Sequence, residues 1–174
     1  MILGPSAGPH PATLPPDRLL ADCDVRFSRR SGPGGQNRNK VETAAILTHR
    51  PSGLSAEANE RRSQGQNRAV ALARLRVILA LEIRHPADPG AGPSPLWTSR
   101  LRGGRLVVSP EHDDFPALLA EALDVLSSLD FDVKAASEAL GCSASQLVKF
   151  LKREPRALKQ TNDRRSDLGL RPLR

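Results

Sequence analysis

Thr43-Ala44-Ala45-Ile46-Leu47-Thr48-His49, Arg50-Pro51-Ser52-Gly53 and Leu54-Ser55-Ala56-Glu57-Ala58 follow one another without a gap, and their order decides the fold. The first run suits a strand, the second carries the proline, serine and glycine of a turn, and the third is placed to pair back as a hairpin. Upstream, Asp24 to Arg29 can extend, so the expected sheet is short and small. Downstream, from about Asn59 to Arg84, the residues Ala69, Leu72, Ala73, Leu75, Arg76, Leu79 and Ile83 recur near three-and-four spacing, with no Pro or Gly after Gly65. That pattern predicts one long amphipathic helix. Arg61, Arg62, Arg68, Arg74 and Arg76 then fall on or beside its polar face, within reach of phosphate. The fold class is α+β, a small mixed/antiparallel sheet with a long helix, followed by a small helical unit.

Proline and glycine divide the chain. Five of the 15 prolines lie in the first 16 residues, and Pro86, Pro89, Pro93 and Pro95 sit with Gly90 and Gly92 in one short stretch that no helix or central strand should cross. The expected organisation is a disordered leader over 1–16, a first folded unit over 17–84, a Pro/Gly linker over 85–100, a small helical unit over 101–153 and a basic C-terminal tail over 154–174. Within the helical unit, Gly103 to Ser109 reads as a short strand, and Phe115 to Leu129 as a helix capped by Asp113 or Asp114. Asp132 to Leu140, Gly141, and Ser143 to Leu151 read as helix, glycine turn, helix, with Ser143 and Gln146 spaced as a capping box. This is helix-turn-helix-like. Its second helix offers Ser145, Gln146, Lys149 and Lys152, and both a packing role and nucleic-acid contact stay open.

A chain of 174 residues holds one domain or a small domain with an appendage, which excludes a large multidomain machine. Hydrophobic residues at 39% and charged residues at 26% are close to the globular norm. No apolar run of about 18 residues exists and the first residues lack a basic segment before an apolar core, so membrane spanning and secretion are disfavoured and a cytoplasmic location is expected. Cys23 and Cys142 are far apart, without CxxC or paired His, and imply neither a disulfide framework nor a zinc site. With four Phe, one Trp and no Tyr, base stacking is not the expected mode of recognition. Charge is more telling. Residues 26–76 carry 11 basic against 3 acidic residues and 149–174 carry 9 against 3, while 82–148 carry 5 against 10. Two cationic blocks in a chain of net charge +7 and pI near 10.4 point to a polyanion such as nucleic acid.

The most informative loop is Arg29-Arg30-Ser31-Gly32-Pro33-Gly34-Gly35-Gln36-Asn37-Arg38-Asn39-Lys40. It holds no Cys, His, Asp or Glu, so a triad, a carboxylate pair or a metal-bound water is not available within it, and no cofactor or metal is expected. It lacks the phosphate-loop pattern GxxxxGK[ST]. His49 is the nearest titratable base, and at a strand end a hydrogen-bonded structural role is expected for it. Gly34 and Gly35 admit backbone angles closed to other residues and let the chain lie flush against a ligand. Arg29, Arg30, Arg38 and Lys40 supply positive charge for phosphate, and Gln36 and Asn37 supply neutral donors and acceptors. On these grounds alone the loop is either a phosphate cradle or a site working through backbone and amide groups.

These residues resemble the catalytic domain of class I peptide chain release factors and the related ribosome-rescue peptidyl-tRNA hydrolases. The likeness runs from about Phe27 to Leu81. It includes Arg30 to Gln36, Asn39, Leu47-Thr48-His49 with Pro51-Ser52-Gly53-Leu54, then Arg62-Ser63-Gln64 and Asn67. The resemblance implies hydrolysis of the peptidyl-tRNA ester in the ribosomal peptidyl transferase centre. It makes Gly34, Gly35 and Gln36 the catalytic residues. The glycines let the loop enter, and the Gln36 backbone N–H stabilises the developing oxyanion and helps place the water, a contribution of roughly 3 to 4 kcal/mol. The Gln36 side chain would exclude larger nucleophiles, and in the family this glutamine is a methylation target. The implied partners are the ribosome, through its 23S RNA, peptidyl-tRNA and a glutamine methyltransferase, with a monomeric protein expected. Arg29, Arg30, Ser31, Arg38, Asn39, Lys40, Arg62, Gln64, Asn67, Lys149, Lys152 and Arg153 are the expected RNA contacts. For the second motif, a helix start capped by Ser63 is an equally good reading.

Full-length release factors carry further domains that exceed 174 residues, so the likeness is taken to the codon-independent rescue factors. Two departures stand out. The expected long Lys/Arg tail is replaced by the helical unit and the block 149–174, and Arg38 stands where the family commonly has Val. The competing reading is a non-catalytic helix-turn-helix regulator, binding ribosomes or nucleic acid, in which the GGQ loop is silent.

Overall fold

The structure is a computed structural model that describes residues 2–3, 8–28 and 43–174. It separates into two compact units, one of Leu14–Leu79 and one joining residues 1–13 to Ala80–Arg174.

In the first unit a short helix α1 (Pro16–Ala21), with proline in its first turn, leads into β2 (Cys23–Ser28), following β1 (Ile2–Leu3) of the other unit. Strands β3 (Ala44–His49) and β4 (Ser55–Ala58) complete an antiparallel sheet of order β2-β3-β4. Its register places Val25 opposite Leu47 and Phe27 opposite Ala45, and Leu47 opposite Ala56. Ala45, Leu47 and His49 are buried with Ala56 and Ala58, the period-two face expected of a half-covered sheet. The β3–β4 turn closes by Gly53 N–H donating to the His49 carbonyl over 2.8 Å, with Gly53 in the left-handed region at φ 70°.

Helix α2 (Gln64–Glu82) is the long helix, but it begins at Gln64 rather than near Asn59. Residues 59–63 stay irregular because side chains take their backbone groups: the Glu60 carboxylate accepts from Asn59 N–H at 2.9 Å, and Asn67 accepts from Arg61 N–H at 2.8 Å. Arg61 and Arg62 therefore precede the helix. Its covered stripe is Ala71, Leu72, Leu75, Arg76 and Leu79, while Ala69 and Ala73 are exposed.

The second unit overturns three local expectations. The described parts of the leader are structured: β1 pairs in parallel with β5 (Ile83–Arg84), and buried His10 donates from Nε2 to the Ile83 carbonyl at 3.2 Å while Nδ1 accepts from Ala12 N–H. The proline-rich stretch 85–100 contains α3 (Pro95–Arg100), capped by Ser94, whose hydroxyl and N–H are both held by Glu121. The reason is Trp97. Its side chain is fully buried, its Nε1–H donates to Leu140 O at 2.8 Å, and its ring meets Phe150 edge-on at 5.7 Å. The basic end forms α7 (Pro155–Asp167), with Ala157 and Thr161 buried four residues apart on one face.

Between these lie the hairpin β6 (Leu101–Arg102) and β7 (Arg105–Leu106), then α4 (Phe115–Ser128), α5 (Val133–Ala139) and α6 (Ala144–Leu151). Asp114 stands before α4 but caps nothing with its side chain, because its carboxylate is taken by Arg100. The helix-turn-helix spacing is realised as expected. Gly141 (φ 64°) ends α5, its N–H reaching Glu138 O while Cys142 N–H reaches Ser137 O, and the Ser143 hydroxyl accepts from Gln146 N–H to start α6.

Candidate functional site

Ser28 and Ala44 are register partners at the open end of the β2–β3 pair, so the two strands present their ends side by side. The segment joining them carries Arg29, Arg30, Ser31, Gly34, Gly35, Gln36, Arg38, Asn39 and Lys40, and all of these lie outside the described residues. The described part of the site is the frame that holds the two strand ends which this segment joins in sequence.

The frame turns on Asn67. This side chain is wholly buried, and each of its amide atoms is used. Oδ1 accepts from Arg61 N–H at 2.8 Å, and Nδ2 donates to Thr43 O at 2.6 Å and to Arg61 O at 2.9 Å. Thr43 is the residue just before β3, so the first turn of α2 grips the chain where it re-enters the sheet. Asn67 was expected to touch RNA; it is instead a clamp on backbone groups that would otherwise be unpaired. Arg62 and Gln64 of the same motif are exposed.

The other arginines assigned to the polar face divide likewise. Arg61, Arg62 and Arg68 are exposed. Arg74 is committed: it donates to Glu57 O at 2.7 Å and pairs with Glu60 at 2.6 Å. Backbone N–H groups at Glu60 and Asn59, together with Arg74, hold the Glu60 carboxyl below its usual range. Arg76 is buried, against the expectation of an exposed guanidinium. Arg50, to which sequence reasoning gave no role beyond the turn, reaches back to Ala21 O, Cys23 O and Asp24 and ties the hairpin to α1. A cation directly after a strand and beside a turn was the available signal.

His49 Nδ1 lies 2.8 Å from Ser52 Oγ, a Ser–His contact that invites a nucleophile–base reading. The geometry assigns it to the turn. The imidazole is buried, which lowers its pKa, and the Ser52 hydroxyl also accepts from Leu54 N–H. His49 is thus the hydrogen-bonded structural residue expected. Among the described residues no group of three His, Cys, Asp or Glu is arranged to hold a metal, and no helix is long and apolar enough to cross a membrane.

In the second unit, Lys149 and Lys152 are exposed on and after α6. Arg153 is not available as an RNA contact, because its guanidinium donates to the carbonyls of Val108 and Leu106. A buried ion pair that composition could not reveal joins Arg84 and Asp124 at 3.0 Å, with His85 N–H also donating to Asp124. Burial pushes the Asp124 carboxyl up to about 6 against the pull of Arg84.

Residues 19–89 match the family model described as the RF-1 domain. Peptide chain release factor PrfB1 of Arabidopsis thaliana chloroplasts is 50% identical over 58 residues, covering 33% of this chain and 13% of the relative. Peptide chain release factor 1 of Acidiphilium cryptum is 43% identical over 70 residues, covering 40% and 20%, and that of Chloroherpeton thalassium is 56% identical over 55 residues, covering 32% and 15%. The chain thus spans a fifth or less of the length of these relatives, and the family match over residues 19–89 contains the loop, the hairpin and all of α2. Over this segment the protein is class I release factor-like.

Proposed function

We propose that the protein hydrolyses the ester joining peptide to tRNA in the peptidyl transferase centre, without reading a codon, as a factor in ribosome rescue or termination. The observation that carries this is Gly34-Gly35-Gln36, set between the adjoining ends of β2 and β3, with Arg62-Ser63-Gln64 and the Asn67 clamp following in the same frame. Water adds to the ester carbonyl, and the Gln36 N–H donates to the oxyanion that forms. The bond to the tRNA oxygen then breaks as that oxygen takes up a proton. The ribosome and peptidyl-tRNA supply the rest of the pocket, which accounts for a loop with no general base of its own. Arg29, Arg30, Arg38 and Lys40 bind the 23S RNA around the loop, with Arg62, Gln64, Lys149 and Lys152 contributing further contacts. Gln36 is the position offered to a glutamine methyltransferase, and the protein acts as a monomer in the compartment of the ribosomes it serves, the cytoplasm.

The test is release of labelled formyl-methionine from initiator tRNA on purified ribosomes lacking a stop codon. Wild type releases it, while Gly35→Ala and Gln36→Ala bind ribosomes and do not. Equal release by the variants refutes the role of the loop, and ribosome binding without release by wild type moves the assignment to the non-catalytic regulator.

A further inference from the structure

Arg102 and Arg105 face each other as register partners in the β6–β7 hairpin, on either side of Gly103 and Gly104. Both glycines are left-handed (φ 54° and 72°), as a two-residue turn matching the strand twist demands. Like charges set directly across a ladder repel, so this placement costs stability. Among the described residues neither guanidinium has an acidic partner, and both are exposed. Acid is nevertheless close by, since Arg100, two residues upstream, takes Asp114. Three of the four cations of α7 are matched with acids, Arg156 with Glu154, Lys159 with Asp163 and Arg164 with Asp167, and the fourth, Arg165, donates to the carbonyls of Phe131 and Arg171. The stem of the hairpin, by contrast, is fixed. Leu106 is buried, its carbonyl and that of Val108 accept from Arg153 just after α6, and the Leu101 side chain lies against Gly141 before α6. A held stem thus carries an unneutralised tip beside α6, with Lys149 exposed on that helix and Lys152 exposed just after it.

We propose that the hairpin tip, together with Lys149 and Lys152, is a phosphate-binding surface for the backbone of duplex RNA, separate from the GGQ loop. Guanidinium forks match phosphate oxygens two at a time. Neither the tip nor the exposed side of α6 carries an aromatic ring on which unpaired bases would stack, which favours a duplex over a single strand. The choice of RNA over DNA rests on the ribosomal function proposed above.

The experiment titrates the full chain with a short fluorescent RNA duplex across a salt series, beside a DNA duplex of the same sequence and a poly-glutamate peptide. For Arg102→Ala/Arg105→Ala we expect RNA affinity to fall about tenfold and the log–log salt slope to flatten by about 1.8, two duplex phosphate contacts' worth. The Tm should stay level or rise, because the repulsion across the ladder is gone. Unchanged affinity and slope overturn the proposal, as does a fall in Tm accompanying the lost binding, which would mark the pair as structural. Tighter binding to the DNA or to the peptide than to RNA overturns the choice of partner. The duplex measurement needs no ribosome, so it is decided whether or not wild type releases peptide.

Discussion

Replacing Asn67 by alanine separates a clamp from an RNA contact. The substitution removes three hydrogen bonds of 2.6 to 2.9 Å and leaves the Thr43 carbonyl and both backbone groups of Arg61 without their partner. At about 0.5 to 1.5 kcal/mol net for each bond, the loss is about 2 to 4 kcal/mol. For a unit the size of Leu14–Leu79 this lowers Tm by roughly 10 to 30 °C, at about 4 to 8 °C per kcal/mol. Asn67→Asp is the sharper variant. The new carboxylate can still accept from Arg61 N–H but faces the Thr43 and Arg61 carbonyls with no donor, so burial raises its pKa in the fold. A group with a raised folded pKa contributes its stability below the unfolded value, near 3.9, and loses it as pH rises. This variant is therefore worse than alanine at pH 7 and recovers toward pH 4. Thermal unfolding followed by circular dichroism at both pH values measures it, with formyl-methionine release beside it. Release should fall because Thr43 no longer anchors the loop. A Tm within 1 to 2 °C of wild type for both variants, with ribosome affinity reduced, would refute the clamp and restore the RNA contact.

Two further perturbations probe the second unit. Burial, with help from His85 and Arg84, holds His10 down at about 4, so between about pH 6.5 and 4 the unfolded chain binds the proton that the fold refuses. Stability falls through that window by on the order of 3 kcal/mol from this group, and Asp124, raised to about 6, acts in the opposite sense. Denaturant midpoints of wild type minus His10→Asn, measured from pH 7 to pH 4.5, should shrink as pH falls; a constant difference would contradict the burial of a neutral imidazole. Arg84→Met strands the Asp124 carboxylate and costs about 3 to 5 kcal/mol, whereas Arg84→Met/Asp124→Leu recovers most of it. Equal urea midpoints for the single and double variants would show that the pair is not a desolvated unit.

The sheet was legible because strand period and turn chemistry agree over Thr43–Ala58, and each signal is local. The start of α2 was not, because a side chain four positions into the helix, Asn67, takes the N–H of Arg61, and no local preference announces so specific a reach. Ala69 and Ala73 fit the apolar spacing yet lie in solvent, since alanine has too little surface to define a covered stripe. The misread linker is more instructive. Proline density argued for a break, but Ser94-Pro95 is also a helix start, a hydroxyl cap followed by proline at the first helical position, and the chain's one tryptophan follows two residues later. The same grammar, Glu154 then Pro155, opens α7. Proline counted as composition hides what proline read by position reveals.

The candidate site divides along a different line. Residue type and spacing singled out the GGQ loop and its supporting motif, but they assigned Asn67 and Arg153 to RNA and placed Arg74 and Arg76 within reach of phosphate. Irregular backbone has prior needs, since its carbonyls and amides must find donors and acceptors once they are covered. Asn67, Arg50, Arg74 and Arg153 meet those needs, each donating to main-chain carbonyls next to a turn or strand end. A guanidinium so engaged keeps its charge but loses the freedom to follow a phosphate. Arg62, Lys149 and Lys152, exposed in the structure, keep that freedom, as do the unmatched Arg102 and Arg105. Counterion release responds to phosphates actually neutralised, not to formal charge. The salt dependence of RNA binding should accordingly track these free cations, and it should barely change when an arginine already spent on carbonyls is replaced by an uncharged residue that preserves the fold.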